Sequence, residues 1–299
     1  MRRQQQSSCR PSHNLFVSHR AIQERIQTLS QHNNPSSRRD FLMQSSALAA
    51  ASLLPTNLFA SALQTAPSAP HIPNRDTQLK FTPEGTPRPF AGNTVICHLP
   101  VQCAMRDAML ELHDALVKAP FYHKLGPTSP DSYHMTIFPG ANDQDRTVSG
   151  WPSYVPADAP IEVCNRMVGE RIAKAHLACE LPIRVRINQA STLSYSTACT
   201  LRMMPADDNE NIKLRSIRDH ISEIYGFKLK DHAAYVFHIT MSYQIAPFTD
   251  QEQSAYREML KTHVQRIIDA QPVLEFGNPE YCTFPDMFRF DPQLLLKCS

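Results

Sequence analysis

Two tripeptides combine residue types suited to proton transfer. They are His134-Met135-Thr136 and His238-Ile239-Thr240, and each lies in a short apolar run. Alternate side chains of a β-strand point to the same face, so the imidazole and the hydroxyl of each tripeptide are expected to project together. An imidazole that titrates near neutral pH, beside a hydroxyl, is typical of acid–base catalysis with hydrogen bonding to an oxyanion.

A reaction at phosphorus needs such groups on both sides of one atom. The nucleophile and the leaving group stand roughly in line, so the base and the acid must come from opposite sides. His134 and His238 are the candidates for these two roles. Thr136 and Thr240 are the candidates to donate hydrogen bonds to the non-bridging oxygens, and this chemistry requires no metal.

Either tripeptide alone also has a simpler explanation. Threonine is a good strand former, and a histidine in a strand can be an interior residue whose hydrogen bonds are satisfied. The functional interpretation therefore depends on the surroundings that the two tripeptides share.

These surroundings form an internal repeat. In each copy a strand ends at a proline, a helix follows, and a second strand carries the tripeptide. Pro100 precedes His134 by 34 residues (134 − 100), and Pro205 precedes His238 by 33 residues (238 − 205). Two copies of strand, helix and strand predict a duplicated, pseudo-two-fold α+β body.

Hydrophobic periodicity places the other elements. Helices are predicted over 101–118, 160–177, 207–225 and 249–270. Strands are predicted over 93–99, 133–138, 183–187, 198–204, 234–243 and 273–276, and the remaining tail is predicted to be irregular.

The paired motifs resemble the two-histidine (2H) phosphoesterase superfamily, whose mark is a pair of His-x-Thr/Ser motifs on two lobes around a cleft. The runs GNTVICHL (92–99), SYHMT (132–136) and TMSY (240–243) are similar to a bacterial branch of that superfamily whose function is uncharacterised. The resemblance covers roughly residues 80–290. It implies a bilobal fold in which two sheets flank a central cleft, with helices outside.

The resemblance also implies an activity. It is the metal-independent cleavage of a phosphodiester, often of 2′,3′-cyclic or 2′–5′ type, in which one of His134 and His238 is the base and the other the acid. Thr136 and Thr240 then bind the phosphate. The resemblance does not assign the two histidine roles.

The first 62 residues are predicted to be a targeting segment. Ser37-Arg38-Arg39-Asp40-Phe41-Leu42 precedes an Ala-rich apolar stretch (43–54) and the small residues 60–62, an order typical of a twin-arginine signal. The apolar stretch is shorter than the roughly 20 residues that span a bilayer, which argues against a stable membrane span. We expect a disordered leader with this signal over 1–62, a Pro-rich linker over 63–80 and the catalytic domain over 81–299. The twin-arginine export machinery would then deliver the protein to the periplasm or the medium.

The charge distribution argues against a generic nucleic-acid binder. The net charge is +2, and residues 1–62 hold seven basic and two acidic residues, which leaves −3 (2 − 5) for the remainder. A mildly acidic body gains little by neutralising a long phosphate polymer. The expected partner is therefore a small phosphodiester or a short oligonucleotide, not a duplex.

The sequence contains no cofactor motif. Its eight glycines form neither a phosphate-binding loop nor a dinucleotide fingerprint, and neither His-Glu-x-x-His nor Cys-x-x-Cys occurs. We expect no cofactor and no metal site. Twin-arginine substrates fold before export in a reducing cytoplasm, so buried free thiols are predicted, with one or two late disulfides as the alternative.

Four residues near the motifs have competing interpretations. Tyr133 and Tyr243 fall on the strand face opposite the histidines if the strands stay regular, and they are predicted to pack in the core or the cleft wall. Arg202 takes the position that matches Cys97 in the first copy and is predicted to be a surface residue, with a phosphate contact as the alternative. His98 lies in the strand before the first helix, and a functional role is its less favoured interpretation.

Two other functions stay open from the sequence. A non-catalytic module would bind a phosphorylated ligand in the same cleft without turning it over. A metal-dependent hydrolase would lose activity in EDTA.

Overall fold

The structure, a computed structural model, describes residues 75–195 and 198–298. The predicted leader and signal and most of the predicted linker lie outside the described residues. The helices are α1 (Arg75–Lys80), α2 (Ala104–Val117), α3 (Ile161–Ile172), α4 (Gln189–Ser194), α5 (Asp208–Tyr225) and α6 (Asp250–Ala270). Short 3₁₀ turns occupy Tyr122–Lys124 and Pro130–Ser132. The strands are β1 (Gly92–His98), β2 (Leu125–Pro127), β3 (His134–Phe138), β4 (His176–Leu177), β5 (Ile183–Ile187), β6 (Ala198–Pro205), β7 (His238–Gln244), β8 (Leu274–Phe276), β9 (Glu280–Phe284), β10 (Asp291–Leu295) and β11 (Lys297–Cys298).

Two antiparallel sheets carry the two motifs. The first sheet has the strand order β10-β9-β1-β3, and the second has the order β2-β7-β6-β5-β8. A short parallel pair joins β4 to β11. This arrangement of antiparallel sheets and helices confirms the predicted α+β class.

The predicted repeat is present as two strand–helix–strand units. In the first unit α2 connects β1 to its antiparallel partner β3, and in the second α5 connects β6 to its antiparallel partner β7. Helix α2 packs against α6, whereas α5 contacts both its own strand β6 and strand β3 of the first unit. Helix α5 therefore links the two units.

The ends of α5 follow from local sequence. The side chain of Asp207 accepts a hydrogen bond from the Glu210 backbone N–H at 2.9 Å, which caps the first turn. Gly226 ends the helix with a φ of 73°, the left-handed conformation that glycine adopts most readily. Both ends agree with the sequence prediction.

The core lies on the faces of β3 and β7 that point away from the histidines. Met135 and Ile137 of β3 are fully buried, as are Ile239 and Met241 of β7, and all four belong to one apolar cluster. Burying these side chains on one face leaves the imidazoles and hydroxyls on the other. The predicted alternation of β3 and β7 is thus correct up to the threonines.

The C-terminal tail, predicted to be irregular, forms strands. Strand β9 lies inside the first sheet, between β1 and β10. The sequence did not predict these strands because Pro279, Pro285 and Pro292 interrupt the alternation of apolar and polar residues. Strands β9 and β11 are held by pairing with β1 and β4, which are distant in the sequence. Pro292 lies in β10, an edge strand, beside a register shift, which is where a sheet tolerates proline.

Other boundaries also differ from the prediction. Residues 75–80, predicted as linker, form α1; helix 160–177 ends at Ile172, and strand 234–243 begins at His238. A disulfide joins Cys179 to Cys298. The other described cysteines are free thiols, as predicted: Cys97, Cys103, Cys164, Cys199 and Cys282. No helix among the described residues is long and apolar enough to cross a membrane.

Gly140, just after β3, generates a stability prediction. Its φ is +70°, and a Cβ at this position would lie 2.0 Å from the backbone oxygen of Asn93. We expect Gly140→Ala to lower the free energy of unfolding by more than about 1 kcal/mol, because both the conformation and the clash involve backbone. Denaturant unfolding followed by circular dichroism measures this change. Gly277→Ala is the matched control, since a Cβ there meets no atom within 4 Å; equal stability of the two variants would contradict the argument.

Candidate active site

The two motif histidines occupy equivalent positions in their strand pairs. In the first unit His98 of β1 lies opposite His134 of β3, and in the second Arg202 of β6 lies opposite His238 of β7. Each opposed pair is separated by 36 residues (134 − 98 and 238 − 202). Arg202 therefore corresponds to His98. The match of Arg202 to Cys97, made from the sequence, is wrong. Aligning the prolines misplaced it by one residue, because β6 runs to Pro205 whereas β1 ends two residues before Pro100.

The same β-bulge follows each motif. The pairing shifts by one residue after Thr136 and after Thr240, which leaves Ile137 and Met241 as the extra residues. A bulge re-aims the side chains that follow it. Regular alternation would place Ser242 on the histidine face, but Ser242 is fully buried, and Tyr243 turns into the cleft.

One cleft of about 910 Å³ brings the four predicted site residues together. His134, Thr136, His238 and Thr240 all line it. Strands β3 and β7, from different sheets, lie next to each other at this point, and the charge of His238 acts on the titration of His134. The structure thus assembles every residue that the sequence assigned to the site.

Backbone carbonyls orient both imidazoles in the same way. Nδ1 of His134 lies 2.6 Å from the carbonyl oxygen of Ser132, and Nδ1 of His238 lies 2.9 Å from that of Val236. A carbonyl only accepts, so Nδ1 carries the proton in each neutral ring, and Nε2 is left with the lone pair. Each Nε2 is then free to exchange a proton with a substrate.

Burial keeps both imidazoles neutral. Desolvation lowers the pKa of His134 to about 3, although its bond to Ser132 opposes the shift, and nearby His98 and His238 lower it further. Desolvation also lowers the pKa of His238, with Arg202 and Lys80 adding to the effect. An anion bound between the rings would reverse these shifts, because negative charge favours the imidazolium.

Tyr235 is a cleft residue that the sequence analysis missed. Its hydroxyl interacts with Thr136, and its ring centroid lies 6.0 Å from that of His238, so it contacts both motifs. Burial raises the pKa of this phenol to about 12, which keeps its proton in place as a hydrogen-bond donor. Its position three residues before His238, in a run predicted to be a strand, gave no sign of this role.

A buried guanidinium lies behind Tyr235. Arg218 of α5 is fully buried, stacks on the Tyr235 ring at 3.9 Å, and donates to the bulge carbonyl of Ile137 and to the carbonyl of His232. Burial lowers its pKa to about 10, so it stays charged at neutral pH. Among the described residues no carboxylate lies within ion-pair distance of Arg218. Its charge lies behind the Tyr235 ring, outside the residues that line the cleft, and Asp219 and Asp231 act on it.

The two tyrosines beside the motifs differ in environment. Tyr133 is buried in the core, where its hydroxyl is 3.0 Å from Nδ1 of His113. Tyr243 lines the cleft because of the bulge before it. Arg202 was predicted to be a surface residue, and it is partly exposed and stacks on Tyr195 at 4.0 Å.

Three side chains with metal-ligand chemistry meet near the first motif. His98, Glu280 and Cys282 have their potential ligand atoms within 4.8 Å of one another. Nδ1 of His98 is 2.8 Å from a Glu280 carboxylate oxygen. Burial, with Glu280 and Asp291 nearby, raises the pKa of the Cys282 thiol. His98 and Glu280 thus form a hydrogen-bonded pair next to His134, with Cys282 beside this pair.

The comparisons with known proteins agree with this geometry. Residues 80–195, which include the first motif, match the family described as "2H-phosphodiest: Domain of unknown function (DUF1868)". No curated protein sequence matches the chain. A crystal structure of a conserved protein of unknown function from Agrobacterium tumefaciens aligns with a TM-score of 0.65 and 26% identity, over 72% of this chain and 90% of its own.

A second crystal structure, described as that of a phosphoesterase, aligns over 70% of this chain and 99% of its own. Its TM-score of 0.37 and identity of 11% are too low to support an inference. Residues 80–195 match a 2H-phosphodiesterase-family domain, and the α+β fold is consistent with a member of the 2H phosphoesterase superfamily.

Proposed function

We propose that this protein is a metal-independent phosphodiesterase that cleaves cyclic or 2′–5′ phosphodiesters of small nucleotides by two-histidine acid–base catalysis. The family whose model matches residues 80–195 is named for phosphodiesterases. The observation that carries the proposal is the pair of His-x-Thr motifs in one cleft. Both Nδ1 atoms are hydrogen-bonded to carbonyls, and neither Nε2 atom has a hydrogen-bond partner among the described residues.

The reaction places the phosphate between His134 and His238. The Nε2 of one imidazole takes a proton from water as the water oxygen bonds to phosphorus. The bond to the leaving oxygen breaks on the opposite side, and the other imidazole, protonated beforehand, gives its Nε2 proton to that oxygen. The products are a phosphomonoester and an alcohol, and proton exchange with solvent returns both rings to their starting states.

Hydroxyl groups bind the non-bridging oxygens in this scheme. Thr136 and Thr240 each lie two residues beyond a catalytic histidine on the same face, and the protonated phenol of Tyr235 lies beside Thr136. Hydrogen bonds to charged groups contribute about 1.5–3 kcal/mol each.

The two histidines generate the first test of this function. We expect His134→Ala and His238→Ala each to reduce kcat for a 2′,3′-cyclic nucleotide by about 10²–10⁴-fold, because each removes one proton transfer. Steady-state assays of the purified variants measure the loss. His123→Ala is the control, since His123 is exposed and does not line the cleft. Full activity in both motif variants would refute the assignment, and tight binding of the ester without product would identify a binding module.

The lowered pKa values generate a second test. Catalysis requires one neutral and one protonated imidazole, and in the free enzyme both rings have a pKa below the ordinary 6.5. The profile of kcat/KM, which reports the free enzyme, should therefore be bell-shaped, with its maximum below pH 6.5 and a fall towards pH 8. Bound phosphate raises both pKa values, so the maximum of kcat should lie at higher pH than that of kcat/KM. A kcat/KM that rises steadily from pH 6 to 9 would contradict this account.

Metal removal is the third test, because His98, Glu280 and Cys282 offer a competing metal-dependent function. We expect EDTA to leave kcat unchanged, since the proposed proton transfers need no metal. The metal-dependent hydrolase would be favoured if EDTA lowered kcat and added Zn²⁺ restored it. Cys282→Ser should then lower kcat as well, whereas Cys164→Ser should not. Cys164 is the matched control as another buried free thiol.

A further inference from the structure

One side of the cleft is an apolar wall that the acid–base mechanism does not use. We define the apolar wall as Leu79, Phe90, Tyr243, Phe284, Met287 and Phe290. These residues form a cluster separate from the main core, and all of them line the cleft. They come from α1, β7, the β9–β10 segment and the loop before β1, not from the repeated motifs alone. Phe90, Phe284 and Met287 are buried, whereas Leu79, Tyr243 and Phe290 keep part of their surface in the cleft. A ligand in the cleft would cover this remaining apolar surface.

The rings of the wall extend from the reacting histidine. The Phe290 centroid lies 4.2 Å from that of His134 and 5.2 Å from that of Phe284. The rings of Phe284 and Phe90 are nearly parallel, at 14°, with centroids 6.4 Å apart. A group bound on this wall would therefore lie next to a phosphate bound at His134, and a single sugar would connect the two.

An ammonium group lies over the same wall. Nζ of Lys80 is 5.5 Å from the centroid of Phe90 and 5.2 Å from that of Tyr243, and its charge acts on His238. No carboxylate among the described residues lies within ion-pair distance of it. The wall thus offers flat aromatic faces together with a cation that can donate hydrogen bonds to an acceptor atom.

We propose that the apolar wall binds the nucleobase of the substrate, which stacks on the phenylalanine rings while Lys80 donates to an acceptor on the base edge. The proposal rests on the proposed phosphodiesterase function and names the part of the substrate that the cleft selects. A nucleobase has an apolar face and a rim of acceptor atoms, which matches both features. An alkyl chain would offer the Lys80 ammonium no hydrogen-bond acceptor, and a sugar alone would leave the partly exposed rings of Phe290 and Tyr243 uncovered.

Two cyclic esters that differ only in the base test the proposal. They are adenosine 2′,3′-cyclic phosphate and methyl riboside 2′,3′-cyclic phosphate. Base–aromatic stacking of about 1–3 kcal/mol corresponds to about a 5- to 150-fold preference in kcat/KM for the adenosine ester, expressed mainly in KM. Equal kcat/KM values would overturn the base site and leave the phosphodiesterase function standing. If a hexyl riboside ester had a kcat/KM equal to or higher than that of the adenosine ester, the base site would be overturned in favour of an alkyl-binding wall.

Substitutions in the wall locate the preference. We expect Phe284→Leu to reduce the ratio of the two kcat/KM values to below about 5, because leucine keeps the apolar contact but loses the flat face. Phe276→Leu is the matched control, since Phe276 is a buried phenylalanine in β8 that does not line the cleft. Should Phe284→Leu fail to fold, Phe90→Leu makes the same measurement. An unchanged ratio in the folded variant would overturn the assignment.

A binding measurement separates this proposal from the proposed function. If neither ester is hydrolysed, the phosphodiesterase function fails, and calorimetry then compares adenosine 3′-monophosphate with methyl riboside 3′-phosphate on the same protein. Binding of the adenosine compound at least about 5-fold more tightly supports the base site. Equal affinities overturn it.

Discussion

The reaction that we propose, in-line displacement at phosphorus, sets the constraint on which the cleft depends, because it requires a proton acceptor and a proton donor on opposite sides of one atom. The fold meets this requirement by placing β3 and β7, from two different sheets, next to each other. Each strand presents a histidine and a threonine on the cleft face and buries the residues between them. The duplicated bulge ends that alternation at the same point in both strands, where the chain turns back into the core.

Charges near the imidazoles influence their protonation. Burial lowers the pKa of both rings, and Arg202 and Lys80 lower that of His238 further, whereas Asp231 raises it. The cleft is lined by cations and carboxylates: Lys80, Arg146, Lys230, Asp76 and Asp145. In the proposed reaction a bound phosphate supplies the negative charge that one imidazolium requires, so substrate binding and the protonation needed for catalysis would be coupled.

The sequence was sufficient to predict the α+β class, the repeat and the shared strand face of each histidine–threonine pair, because these depend on periodicity and on residue type within single strands. Other features depend on tertiary pairing. The bulges that turn Tyr243 into the cleft exist only in the register between strands. Strand β9 is held by partners on both sides and its proline-flanked sequence has no clear alternation. Lys80 was assigned to a linker, and Arg218, on a helix that was predicted correctly, reaches the site only because α5 crosses to the other unit.

A crystal structure of the protein with orthovanadate would test the central claim most directly, since a five-coordinate vanadate mimics phosphorus during displacement. The account predicts one vanadate in the cleft, with Nε2 of His134 and Nε2 of His238 each within about 2.6–3.2 Å of oxygens on opposite sides of the vanadium. Thr136 and Thr240 should contact the equatorial oxygens. A vanadate that only one imidazole contacts, or two imidazoles on the same side of it, would contradict the account.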